Sequence, residues 1–226
     1  TSREIVWRWC ISQSESLDTD LIKILDNFYS NVDYVLSLST DACRKRGCGA
    51  GLRSESLETL DKHLYDTFCS AIYSMHGIDG RKVMMTTYFT EHVYNPEKNA
   101  GLIHIDGRNP NVCDVTLRDY RLILGGQIFL TPTNDLDTGI KFYNVNQSAG
   151  WTEEEEFDMT LNKCYTFDKQ QLEEYNRNFY EIAEAKNIQN RMVSWTAGIK
   201  YRSKMTEKQQ NRIIQNFYIS TWTKST

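Results

Sequence analysis

The sequence predicts an α+β fold in which helices back a sandwich of mainly antiparallel strands. Two observations carry that reading. Apolar residues recur at helical spacing up to about Gly80, and beyond it the chain turns to short β-branched and aromatic runs bounded by turn residues. Helices that precede the strands, rather than alternate with them, indicate segregated layers and not a parallel sheet. No Pro-rich or Gly/Ser-rich linker and no internal repeat divides the 226 residues. One domain over 1–226 is therefore expected, with a helical support region over 1–80 and a strand core over 81–226.

The elements follow in order. Ile5 to Ile11 is dense in strand formers and predicts an outer strand. Asp18, Thr19 and Asp20 offer caps for a helix with Leu21, Ile24, Leu25 and Phe28 on one face, and Val32 to Leu38 fits a second short helix. Loop chemistry occupies Cys43 to Gly51. From Ser54 or Ser56 a longer helix carries Leu57, Leu60, Leu64, Phe68, Ala71, Ile72 and Met75, and Gly77 ends it.

Strands are expected over 82–91, 102–106, 120–130, 140–144, 191–195 and 211–221. An acidic helix over 169–186 interrupts them, with Leu172, Tyr175, Phe179, Ile182 and Ala183 as its buried stripe. The acid run Glu153 to Glu156 reads as a solvated loop or a helix start.

Composition excludes several classes. A net charge of −4 and a pI near 5.6 argue against a nucleic-acid binder driven by electrostatics. Arg44-Lys45-Arg46 and the Arg202, Lys204, Lys208, Arg212 group are short enough to be solvated surface. No apolar run approaches the roughly 20 residues of a membrane span, and the first residues lack a signal-peptide core. A cytoplasmic setting is expected. The six cysteines are scattered, and Cys43 and Cys48 have no second pair to complete a zinc knuckle, so reduced thiols are expected.

His104-Ile105-Asp106 carries the chemistry. On an extended strand, residues two apart point the same way, so one strand presents an imidazole and a carboxylate to one metal ion. The 2-His-1-carboxylate arrangement needs that pair and a second histidine.

The surroundings extend the pattern. Upstream lies Tyr88-Phe89-Thr90-Glu91-His92-Val93-Tyr94-Asn95-Pro96. Downstream come the apolar strand from Leu122 to Leu130, then Thr138-Gly139-Ile140-Lys141-Phe142-Tyr143, Asn190-Arg191-Met192-Val193 and Arg212-Ile213-Ile214. This succession, from Tyr88 to Ile219, resembles the 2-oxoglutarate- and Fe(II)-dependent oxygenases of the prolyl-hydroxylase-like type.

The resemblance implies a double-stranded β-helix (jelly-roll) core. It implies Fe(II) as cofactor, 2-oxoglutarate and O₂ as cosubstrates, and hydroxylation of a small-molecule or protein substrate through a ferryl intermediate. His104 and Asp106 become iron ligands. Arg212 takes the place of the basic residue that clamps the distal carboxylate of 2-oxoglutarate, a role its planar fork suits. Tyr94 or Tyr88 would donate a further hydrogen bond to the cosubstrate.

One departure stands out. The family places a second histidine about ten residues before the clamping base, and here that stretch reads Thr196-Ala197-Gly198-Ile199-Lys200-Tyr201-Arg202-Ser203. His104 is the last histidine of the chain. Spacing puts Tyr201 in that place, while the Arg-Ser pair would put Arg202 there; arginine stays protonated and cannot ligate iron, and Tyr201 is the candidate metal ligand through its phenolate. Water or His92 are the other candidates for the third position. A second function class follows from the same gap: a degenerate oxygenase fold acting as a binding or assembly module. A hydrolase with Asp106 as base lacks any nucleophile elbow to support it.

Overall fold

The computed structural model describes residues 21–42, 45–46, 51–93, 102–106, 120–133, 135, 137–161, 167–206, 208 and 211–222. The strand expected over 5–11, Tyr94, and every cysteine except Cys69 lie outside them.

Among the described residues, the larger sheet has seven strands. They are β1 (Ile22–Leu25), β2 (Lys45–Arg46), β3 (Leu52–Ser56), β4 (Val83–Val93), β5 (Tyr120–Phe129), β8 (Met192–Thr196) and β10 (Asn211–Trp222). Their order is β1-β8-β5-β10-β4-β3-β2. The smaller sheet runs β7-β6-β9, from β6 (Gly139–Val145), β7 (Phe179–Lys186) and β9 (Lys200–Lys204). Every pairing between these strands is antiparallel.

Alternation along β10 shows how the layers are built, because successive side chains point to opposite faces. Ile213, Phe217 and Ile219 join the core under the helices with Leu64, Phe68 and Ile72. Ile214 faces the other way and packs between the sheets with Phe129, Ile140, Phe142, Val193, Trp195 and Tyr201. At Gly126 the ring of Phe217 lies 2.0 Å from where a Cβ would stand, so only glycine fits beneath it.

The helices cover one face of the larger sheet. After α1 (Val32–Ala42), the apolar stripe from Leu57 to Met75 is divided into α2 (Leu57–Leu60) and α3 (Lys62–His76). Ser56 caps α2 by accepting from the Thr59 amide, and Asp61 ends α2 and caps α3 by accepting from Leu64. Gly77 closes α3 with φ 62°, in the left-handed region.

Three expectations are corrected. Residues 21–28 do not form a helix. Ile22 to Leu25 pair instead with β8, Ile22 opposite Trp195, because a β-branched tetrapeptide beside an open sheet edge gains ladder hydrogen bonds that a short isolated helix lacks. The acidic helix is only α5 (Lys169–Asn176), and the chain continues as β7 against β6. Phe179 still packs on Tyr175, as its apolar spacing suggested. Residues 102–106 are extended but paired only through an isolated bridge between His104 and Tyr201. The acid run opens α4 (Glu153–Leu161), where four carboxylates favour the positive end of the helix dipole.

Candidate functional site

The segment 102–106 is fixed from two sides. The His104 amide donates to the Tyr201 carbonyl at 3.1 Å, and the Tyr201 amide donates back at 2.9 Å. Opposite, the Ile105 amide donates to Thr160 of α4 at 3.2 Å, and the Tyr175 hydroxyl donates to the Ile103 carbonyl at 2.8 Å. Ile103 and Ile105 are buried. By alternation, His104 and Asp106 share the other face.

Because His104 and Tyr201 exchange both backbone hydrogen bonds, they are directly opposed and their side chains emerge on one face. The Tyr201 hydroxyl donates to Asp106 Oδ2 at 2.7 Å, and its ring lies 4.5 Å from that of His104. Burial pushes the Asp106 carboxyl above its ordinary range, opposed by the nearby His104, the Tyr201 hydrogen bond and Arg53. His104 Nδ1 lies 3.0 Å from the Leu102 carbonyl. That contact assigns the proton to Nδ1 and the lone pair to Nε2, the orientation second-sphere contacts impose on metal-bound histidines.

Arg212 is fully buried. Nη1 donates to the Lys204 and Gly139 carbonyls at 3.2 and 3.4 Å, and Nη2 donates to Ser203 Oγ at 2.8 Å. Nε has no partner. Burial alone lowers its pKa, to about 10, so it stays charged at neutral pH, and no carboxylate among the described residues pairs with it. Ser203 follows Tyr201 by two residues on β9, so the two side chains share a face about 7 Å apart. Arg212 therefore meets β9 on the face that also carries Tyr201.

The other predicted residues fall differently. Tyr88 is opposite Asn216 and stacks on Tyr218 at 6.2 Å, with the Arg53 guanidinium 5.0 Å from its ring. Arg212 is opposite His92, about 13 Å along β4 from Tyr88. Tyr88 groups with Tyr218 and Arg53; Arg53 acts to lower the Asp106 carboxyl, and Asp106 helps to raise the Tyr218 hydroxyl. His92 joins no cluster with His104 and Asp106: among the described residues no three His, Cys, Asp or Glu side chains converge on a metal position.

Sequence reasoning missed Ser203, Tyr218 and Gln127, the last buried with an unpaired Oε1. Asn216 was missed too; it donates to Thr90 Oγ1 at 2.8 Å. The available signal was polarity on one face of β10, which carries Arg212, Asn216 and Tyr218 beside Ile214.

The buried Arg212 guanidinium, with only neutral acceptors and an unpaired Nε, suits a carboxylate. A 2-His-1-carboxylate iron site does not fit in full. His104 and Asp106 offer two donors, and Tyr201, paired opposite His104, is already hydrogen-bonded to Asp106.

No protein-family profile and no curated protein matches the sequence. Solved structures do match. HygX from Streptomyces hygroscopicus, with nickel and 2-oxoglutarate bound, is similar at 10% identity and a TM-score of 0.57, over 90% of this chain and 84% of that one. EvdO2 from Micromonospora carbonacea var. aurantiaca, complexed with 2-oxoglutarate, is similar at 10% identity and a TM-score of 0.53, over 88% and 86%. At such identity the likeness is one of fold. The chain has a double-stranded β-helix (jelly-roll) core backed by helices, as the sequence resemblance implied.

Proposed function

We propose that the chain is a 2-oxoglutarate-binding protein of the oxygenase type, holding the dicarboxylic acid inside the jelly roll with its distal carboxylate on Arg212. One observation carries this reading: Arg212 is a fully buried cation without an acidic partner among the described residues. Removing a charge from water costs several kcal/mol unless an opposite charge or full hydrogen bonding compensates it. A bound carboxylate supplies both. HygX and EvdO2, of the same fold, have been crystallised with 2-oxoglutarate.

In this reading His104, through Nε2, and Asp106 would offer two donors to a divalent iron. When bound, that ion supplies the oxidative chemistry by which such proteins hydroxylate an organic substrate. The protein's own part is concrete. Arg212 and Ser203 fix one end of the acid, the Leu102 carbonyl fixes the imidazole, and Tyr201 fixes Asp106. Phe129, Ile214 and Trp195 keep the interior dry, which strengthens the arginine–carboxylate attraction. HygX also binds hygromycin B, which supports a small-molecule substrate here.

A second reading has its own support. Tyr201 in the place of the second histidine favours a fold that binds the acid without turnover. Anaerobic Fe(II) and 2-oxoglutarate should produce a weak visible charge-transfer band, and O₂ should then yield succinate. A folded protein that binds 2-oxoglutarate but yields neither signal is the binding module.

A further inference from the structure

We infer that this protein grips its dicarboxylic acid without a metal ion, because Tyr201 has converted the metal end of the site into a hydrogen-bonded latch. The inference rests on the reading of Arg212 as a carboxylate clamp and goes beyond it by separating the acid from the metal.

Three observations support it. Tyr201 is directly opposed to His104, so its side chain occupies the place a second imidazole would need. Its hydroxyl donates to Asp106 Oδ2 at 2.7 Å, which satisfies in the protein alone a carboxylate oxygen that a metal would otherwise use. The clamp is built entirely from other groups. Arg212 is held by Ser203 Oγ, the Lys204 carbonyl and the Gly139 carbonyl, and none of these belongs to the His104 segment.

The two ends of the site are therefore independent in their contacts, although they face one interior. Loss even of an outer contact to a metal ligand lowers metal affinity about 10–100-fold, and absence of a ligand itself lowers it further. The pair His104/Asp106 holds a divalent ion weakly. Arg212, already desolvated and rigid, loses little freedom on meeting a carboxylate.

The test is isothermal titration of the full chain with 2-oxoglutarate, first in excess EDTA and then with Mn(II). The wild type should bind with dissociation constants within about threefold of one another, and Arg212→Gln should weaken both by at least about tenfold. Tyr201→His should tighten Mn(II) binding by at least about tenfold, measured by Mn(II) titration without the acid. It should also make 2-oxoglutarate binding stronger with metal than without.

Wild-type binding that disappears in EDTA overturns the inference and leaves the clamp reading intact. No binding in either condition, with the protein folded by circular dichroism, overturns both. A folded Tyr201→His protein with unchanged Mn(II) affinity refutes the assignment of position 201. If that variant does not fold, the wild-type comparison in EDTA still decides the main point.

Discussion

The Tyr201 hydroxyl donates a 2.7 Å hydrogen bond to Asp106, two residues beyond the histidine against which Tyr201 is paired through its backbone. The contact joins strand β9 to a segment that is also tied through its backbone from Ile105 to Thr160. It also gives a desolvated carboxylate its one side-chain donor among the hydrogen bonds described.

Tyr201→Phe should therefore destabilise the metal-free protein by about 1–3 kcal/mol, the range for leaving a buried acceptor without its donor. The ring and its contacts with His104 and Trp195 are kept, so packing loss is small. Urea denaturation of both proteins at neutral pH checks this, and an unchanged midpoint would show that the hydrogen bond contributes nothing.

Arg212→Met should separate stability from binding. Removing an uncompensated buried charge relieves a desolvation cost of several kcal/mol, which offsets the loss of the donor to Ser203 Oγ and the two carbonyls. The melting temperature without ligand should hold or rise. The rise induced by 2-oxoglutarate, worth about 2.7 kcal/mol at one hundred times the dissociation constant, should vanish. Thermal denaturation with and without the acid reads both effects.

Tyr175→Phe removes the hydroxyl that donates to the Ile103 carbonyl at 2.8 Å. It should cost about 0.5–1.5 kcal/mol. It should also speed amide exchange at Ile105, since Tyr175 helps to hold the segment that carries His104. Hydrogen exchange followed by mass spectrometry or NMR measures that local loosening, and exchange as slow as in wild type would count against a positioning role for α5.

His76 supplies a pH signature remote from the site. Burial, and secondarily Lys23, pushes its imidazole down to about 4, while its Nε2 lies 3.0 Å from Ser194 Oγ. Unfolded histidine titrates near 6.5. Between those values the unfolded chain binds a proton that the native protein excludes, so stability rises with pH across this window. The contribution is complete above roughly pH 6.5 and is lost as pH falls toward 4. His76→Gln should flatten that part of the pH–stability curve, as measured by denaturant midpoints from pH 4 to 7.5.

Much of this was legible in the residues themselves. The strands β4, β5, β6, β8 and β10 announced themselves by β-branched and aromatic runs, and α3 by its apolar stripe and its closing Gly77. These signals are local, set by the period of two or of 3.6 that one element imposes on its own sequence. The segments 21–28 and 179–186 carried the same apolar spacing but became β1 and β7, because a neighbouring strand edge decides between helix and ladder for short ambiguous runs.

For the site the division is sharper. Sequence alone determined that His104 and Asp106 share a face and that no histidine follows them, because alternation and composition need no partner to be read. The family resemblance, not local periodicity, singled out Tyr201 and Arg212. Only the tertiary structure decided that Tyr201 reaches Asp106, that Arg212 is buried on Ser203 and two carbonyls with Nε unpaired, and that Tyr88 stacks on Tyr218. Each of those facts depends on which strands from distant parts of the chain lie side by side. Long-range antiparallel register sets that, and no local periodicity encodes it.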